Sequence, residues 1–174
     1  MGIGGQLVTI VVDVANVMGS RPDGWWRDRA GAAVRLHAEI ARLAASGRAI
    51  PPDGRGPEPG PGEPGRPGFV MVLEGAARAA AARLAPPGQA GRADGAGRAA
   101  AEPDADAGGT EPVRPGEVRV VQAHGSGDDT IVAVVRELPG RRVVVTADRE
   151  LRARCVAAGA EILGPGWLLG LLRD

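Results

Sequence analysis

Lysine and tyrosine are absent from this 174-residue chain, phenylalanine and cysteine each occur once, and three tryptophans complete the aromatic set. Each scarcity excludes something. A single thiol, Cys155, excludes an intramolecular disulfide and a multi-thiolate zinc site, and a reducing cytoplasm is the expected setting. With Phe69, Trp25, Trp26 and Trp167 as the only aromatics, the stacking platforms of single-strand binders are nearly out of reach, and only the Trp25-Trp26 pair could serve. Neither sign of charge is in excess: 21 arginines face 21 aspartates and glutamates. A uniformly basic nucleic-acid binder and an acidic tail are excluded, so any polyanion must be met by a local patch or through a metal. No uninterrupted apolar run approaches ~18 residues, and Met1 to Gln6 lacks a basic segment leading into an apolar core. These features predict a soluble chain with no membrane partner and no targeting segment.

Glycine and proline, by contrast, are plentiful, at 28 and 15 residues, but they are unevenly spread. The abundance of Ala, Gly, Pro and Arg looks like the coding bias of a GC-rich genome, which lessens its structural meaning. Residues 51–68 (PPDGRGPEPGPGEPGRPG) are too rich in proline and glycine to sustain a helix or a sheet ladder. Residues 86–116 are similar, mixing Ala, Gly, Asp and Pro. Both are expected to be flexible insertions in a single domain spanning 1–174. Without them about 125 residues remain, enough for one core.

The remainder alternates between short apolar runs and helical patterns. LVTIVV (Leu7 to Val12) reads as a strand buried on both faces and FVMVL (Phe69 to Leu73) as a second short buried strand, with VRVVQA (Val118 to Ala123) a third, RVVVT (Arg142 to Thr146) a fourth and Glu161 to Leu163 a possible fifth. Helices are expected over Trp26 to Ser46 with Gly47 as its stop, Ala76 to Leu84, Asp129 to Leu138, Arg149 to Ala158 and Trp167 to Leu172. Four or five strands alternating with helices imply a parallel sheet covered on both faces. The apolar end, Trp167 to Leu172, is expected to pack on the core, with a homodimer contact as the other use of the same run.

In open parallel sheets, ligands bind beyond the carboxyl ends of the strands. The first strand ends in Asp13 with Asn16 three residues on, and the second ends in Glu74. The third is followed by His124-Gly125-Ser126-Gly127-Asp128-Asp129-Thr130, and the fourth by Ala147-Asp148-Arg149. Every end carries an acid. Carboxylates gathered at one rim repel one another and need a divalent cation to share the site at neutral pH. An oxygen-only donor set points to Mg²⁺ or Mn²⁺, not zinc. Such an ion neutralises phosphate oxygens and lowers the pKa of bound water, as phosphodiester hydrolysis requires.

Asp13-x-x-Asn16 after the first strand, Gly127-Asp128-Asp129-Thr130-Ile131 opening a helix, and Thr146-Ala147-Asp148 after a later strand resemble the NYN domains of the PIN-like nuclease superfamily. The similarity covers essentially the chain outside the two insertions. It implies a three-layer α/β/α fold around a parallel sheet, a Mg²⁺ or Mn²⁺ site and ribonuclease activity. Carried over by position, Asp13, Asp128 and Asp148 match the acidic positions and Asn16 the polar residue after the first acid. Asp129 competes with Asp128 for the ion, and Glu74 falls where many relatives place an acid. On this reading Asp13, Asn16, Asp128 and Asp148 are catalytic, and Asp13, Asp128, Asp129, Asp148 and Glu74 supply the metal site.

Other assignments stay open. Asp128, Asp129 and Asp148 stand at expected helix starts, where a carboxylate also serves as a cap. Asp13 is less open to that explanation, being well ahead of the helix expected near Trp26. Gly125-Ser126-Gly127 resembles part of a dinucleotide turn, but Thr130 replaces the third glycine and two aspartates would repel a pyrophosphate. RNA contacts are expected from Arg21, Trp26, Arg27, Ser126 and Arg149, phosphates meeting arginine and a base meeting indole. Their structural alternatives are turns and ion pairs. Set against the ribonuclease are a non-catalytic module binding RNA or protein on the same fold, and a phosphoesterase acting on small substrates.

Overall fold

The computed structural model describes residues 7–57, 65–85 and 111–173. The β-branched runs form five strands: β1 (Val8–Asp13), β2 (Gly68–Leu73), β3 (Val118–Gln122), β4 (Arg141–Val145) and β5 (Glu161–Leu163). All pair in parallel in the order β3-β2-β1-β4-β5. Chain progression therefore runs outward from β1 to β3 on one side and resumes with β4 on the other. The reversal lies between β1 and β4, where loops from the two halves diverge and leave a crevice.

Strand alternation divides the core into two layers. Ile10, Val12, Phe69, Met71, Leu73, Val143 and Val145 point to one face, whereas Val11, Val70, Val72 and Val144 point to the other. The first face is covered by α1 (Val14–Gly19), α2 (Arg29–Ser46), α3 (Ala80–Leu84) and α6 (Pro165–Arg173). The second is covered by α4 (Gly127–Glu137) and α5 (Arg149–Ala157). This is a three-layer α/β/α fold of PIN-like type. Burying both faces explains why the central strands β1, β2 and β4 read as apolar runs instead of alternating ones, whereas β3 and β5, at the sheet edges, are half-buried to exposed.

α2 shows how local sequence sets an element. Leu36, Ile40 and Leu43 recur at helical spacing and are buried. Asp28 caps the start by accepting from the Gly31 N–H at 2.8 Å, and Gly47 ends the helix at φ 70°. The expected start at Trp26 is corrected: Trp25–Arg27 form a separate 3₁₀ turn ahead of the Asp28 cap. A second correction concerns Ala76 to Leu84, where Gly75–Ala79 wind as a 3₁₀ turn and only Ala80–Leu84 is α-helical.

At the C-terminal end, Leu168 and Leu169 join the core beside α2. Cys155 is fully buried on α5, and burial pushes its thiol up to about 11, so it behaves as a small apolar side chain. At the opposite rim from the acids, Arg141 donates to Asp53 at 2.6 Å and to Glu161 at 2.8 and 2.6 Å, and to the Arg55 carbonyl. That cluster pins residues 51–57, the opening of the first Pro/Gly-rich stretch, to the start of β4. Val113, late in the second stretch, is buried in the α4 layer. The central parts of both insertions, 58–64 and 86–110, lie outside the described residues. Among the described residues, no helix is long and apolar enough to cross a membrane.

Candidate functional site

Beyond the carboxyl ends of the strands lies an open pocket of about 430 Å³. Its polar lining is Asp13, Asn16, Ser20, Glu74, Asp128 and Asp148. Four carboxylates, separated in sequence by as many as 135 residues, thus face one space at the β1/β4 reversal (148 − 13 = 135).

Asp13 is the last residue of β1 and also the cap of α1, a helix the sequence reading did not anticipate. One carboxylate oxygen, Oδ1, accepts from the Asn16 N–H at 3.1 Å, and the other, Oδ2, accepts from the Thr146 hydroxyl at 2.8 Å. The Thr146 oxygen in turn accepts from the Asp148 N–H at 3.1 Å. Asn16 closes the circuit, its Oδ1 accepting from the Ala147 N–H at 3.0 Å. The ends of β1 and β4 are therefore laced together by side chains. Asp148 caps α5 through Oδ1, which accepts from Leu151 N–H at 2.8 Å. Glu74 reaches across from β2, its Oε2 accepting from the Gly127 N–H at 3.0 Å at the start of α4. This approach requires glycine, because a Cβ at position 127 would sit 2.2 Å from that oxygen.

Capping and the pocket thus turn out not to be alternatives. A carboxylate has two oxygens and about four lone-pair directions, so one backbone bond leaves most of its acceptor capacity free. Asp148 Oδ2 and Glu74 Oε1 receive no hydrogen bond from the described residues. Asp128 caps nothing, since Ser126 is the cap of α4. Burial raises the Asp13 pKa above the ordinary carboxylate range, against the lowering effect of Thr146 and Asn16, and the charges of Glu74 and Asp128 add to the rise. Asp128 is also raised, first by burial and then by the charges of Asp148 and Glu74, with Arg154 opposing. Negative charge is concentrated here without a compensating side chain in the pocket lining.

The donor set suits a hard divalent cation: oxygen only, several carboxylates, and like-charge repulsion that a cation would relieve. As they stand, the side chains are splayed. Among the described residues, no three His, Cys, Asp or Glu side chains gather as closely as the ligands of one ion.

Other sequence-predicted residues fall outside this pocket. One residue of helix is a turn of about 100°, and it carries Asp129 away from Asp128 to an ion pair with Arg154 at the exposed surface. Ser126 accepts from the Asp129 N–H at 3.4 Å as the α4 cap. Arg21 is paired with Glu39 in an adjoining cleft. Trp26 and Arg27 lie exposed on the 3₁₀ turn, Trp26 edge-on to Trp25, which Arg29 covers at 5.3 Å. Arg149 begins α5 in solvent, beside Asp148. Conversely, Thr146 and Ser20 were missed. The signal for Thr146 was a hydroxyl closing the otherwise apolar run RVVVT, where burial demands a partner.

No protein-family model matches the chain, and no curated protein sequence does either. Among solved structures, the chain is similar to a point mutant of Rae1 (YacP) from Bacillus subtilis, with a TM-score of 0.50 and 13% sequence identity. The similarity covers 96% of this chain and 76% of that one. At this identity the likeness is one of fold, and the fold it shares is the PIN-like α/β/α architecture described above.

Proposed function

We propose that this protein is an NYN-type ribonuclease that hydrolyses RNA phosphodiester bonds at the acidic pocket with the help of Mg²⁺ or Mn²⁺. One observation carries the reading: Asp13, Glu74, Asp128 and Asp148 converge from four strand ends on a single open pocket. A cation-free enclosure of four acids is unfavourable, and the raised pKa values of Asp13 and Asp128 express that cost. Folds keep such costs at functional sites.

Asp13, Asp128 and Asp148 would hold the ion, with Glu74 as the fourth carboxylate of the set. When bound, the ion neutralises phosphate oxygens and acidifies water. The protein's own part is orientation. Thr146 and the Asn16 N–H each hold one oxygen of Asp13, which fixes the orientation of its carboxylate. Asn16, anchored by the Ala147 N–H, holds the β4–α5 loop and hence Asp148 against the same space. Glu74 is fixed at one oxygen only and keeps the other free. Asp129, tied to Arg154, acts from outside this pocket and serves to place Arg154 near Asp128.

The test is cleavage of a labelled structured RNA by the purified protein in Mn²⁺, with Asp13→Asn and Asp128→Asn alongside. Cleavage that both substitutions abolish supports the ribonuclease. RNA binding without cleavage would replace it with a non-catalytic module, and hydrolysis confined to small phosphate esters would replace it with a phosphoesterase. Titration of Mn²⁺ against thermal unfolding reports the ion independently, since a ligand of the native state alone raises Tm by mass action. No rise at millimolar ion would overturn the metal site.

A further inference from the structure

A second cleft of about 280 Å³ adjoins the acidic pocket, and the two share Ser20 as a common wall. Ser20 ends α1, its N–H and hydroxyl both donating to the Asn16 carbonyl, at 3.1 and 2.9 Å, so the saddle between the two spaces is fixed. Beyond it, Leu169 and Leu172 of α6 supply an apolar wall, and Arg21, Arg173, Asp23 and Glu39 line the same cleft.

The charges in this cleft are unequally committed. Arg21 is bound to Glu39. Asp23 turns back on its own loop, its Oδ1 accepting from the Trp25 N–H at 3.2 Å. Arg173 has no ion-pair partner among the described residues and is exposed. The cleft thus offers an apolar wall next to one uncommitted guanidinium. Its volume lies just below the range of small-ligand pockets, roughly 300–1,000 Å³. That is room for one nucleoside, not for a folded partner.

A single-stranded polynucleotide has this alternation of apolar base and anionic phosphate. We propose that the cleft is a nucleotide subsite, taking the residue next to the one whose phosphate lies among the acids. Leu172, backed by the core residue Leu169, carries the base, Arg173 contacts its phosphate, and Glu39 holds the Arg21 guanidinium in place for the same strand. The inference rests on the ribonuclease reading of the acidic pocket and specifies its substrate as single-stranded RNA crossing Ser20. Exit over α6, not over the exposed Trp26, follows from it.

The experiment compares oligouridylate with bis(p-nitrophenyl) phosphate, a diester small enough to occupy the acidic pocket alone. Arg173→Ala and Arg173→Glu are assayed in Mn²⁺ beside Arg136→Glu, a charge change at the far end of α4. The Arg173 variants are expected to raise KM for oligouridylate about five- to tenfold and to flatten its salt dependence by roughly 0.7 in log–log slope. Turnover of the small diester and both activities of the Arg136 variant stay at the wild-type level. Oligouridylate carrying 4-thiouridine is expected to photo-crosslink within Pro165–Arg173. Wild-type kinetics for oligouridylate in the Arg173 variants, equal losses on both substrates, or crosslinks confined to the Trp25–Arg27 turn would each overturn the subsite while leaving the ribonuclease standing. If the wild-type protein neither binds nor cuts oligouridylate but cuts duplex or structured RNA, the subsite also falls. Absence of cleavage on every RNA removes both readings.

Discussion

The Thr146 hydroxyl donates to Asp13 at 2.8 Å while its oxygen accepts from the Asp148 N–H at 3.1 Å, so one buried side chain sets the spacing of two acids from opposite halves of the chain. Thr146→Val keeps the shape and removes both bonds. It leaves the buried Asp13 carboxylate without this donor and the part-buried Asp148 N–H without this acceptor, which costs about 1–3 kcal/mol. Urea unfolding should show that loss, and RNA cleavage should fall by at least about tenfold. Thr146→Ser should restore most of the activity, an outcome that simple loss of packing would not produce.

Gly127→Ala separates the pocket from the fold. Alanine favours a helix by up to about 1 kcal/mol over glycine, yet its Cβ would lie 2.2 Å from Glu74 Oε2. The end of Glu74 can swing aside, so stability is expected to change little. Cleavage is expected to drop to the level of Glu74→Gln, and the double variant should be no worse than either single one. Additive losses would show that the two residues act separately.

Asp128→Asn is expected to stabilise the metal-free protein at neutral pH. The folded pKa of Asp128 is raised, so its ionisation disfavours the native state. That penalty is absent below the unfolded value near 3.8 and is complete above the folded one. The Tm of the variant should therefore match the wild type in strong acid and exceed it by about 1–2 °C at pH 7, a small gain because the group is partly solvent-screened. Saturating Mn²⁺ should reverse the order. A variant less stable than the wild type at pH 7 without metal would contradict the crowding of like charges.

At the other rim, Arg141→Met should lower stability without touching the cleavage rate of the folded protein. The Arg141 side chain is 7% exposed, whereas those of Asp53 and Glu161 are 40% and 56% exposed. The loss is placed at about 1 kcal/mol, because the two carboxylates left behind are exposed and regain water. The Arg141 hydrogen bond depresses the Glu161 pKa, so this contribution is present above the unfolded carboxylate value and fades as pH falls through the folded one. Wild type and variant should converge in acid, which chemical denaturation from pH 7 to pH 3 will show.

Strand positions, the parallel sheet and the convergence of acids were legible because each rests on a local signal. LVTIVV, FVMVL and RVVVT can be buried only as central strands, and alternation with helices forces parallel connections that place every strand's carboxyl end at one rim. The presence of Asp13, Glu74, Asp128, Asp129 and Asp148 at that rim follows from this placement. Their context does not. The short α1 was unreadable because six residues, Val14–Gly19, give too little periodicity to stand out from the end of β1. The assignment of Asp128 inward and Asp129 outward depends on the rotation of α4 against the sheet, which neighbouring identical residues cannot encode. The pairing of Arg21 with Glu39 and the cleft beside Ser20 likewise arise only when α1, α2 and α6 pack together.

The amino-acid sequence by itself determined the sheet, its polarity and which rim carries charge, since these depend on hydrophobic runs and chain direction. Tertiary structure alone decided which carboxylates share a space, that Thr146 bonds to both Asp13 and Asp148, and that Arg173 lines a cleft with Leu169 and Leu172 on the far side of Ser20. The reason is physical: burial patterns are written along the chain, whereas distances between side chains on different elements are set by how those elements rotate and pack.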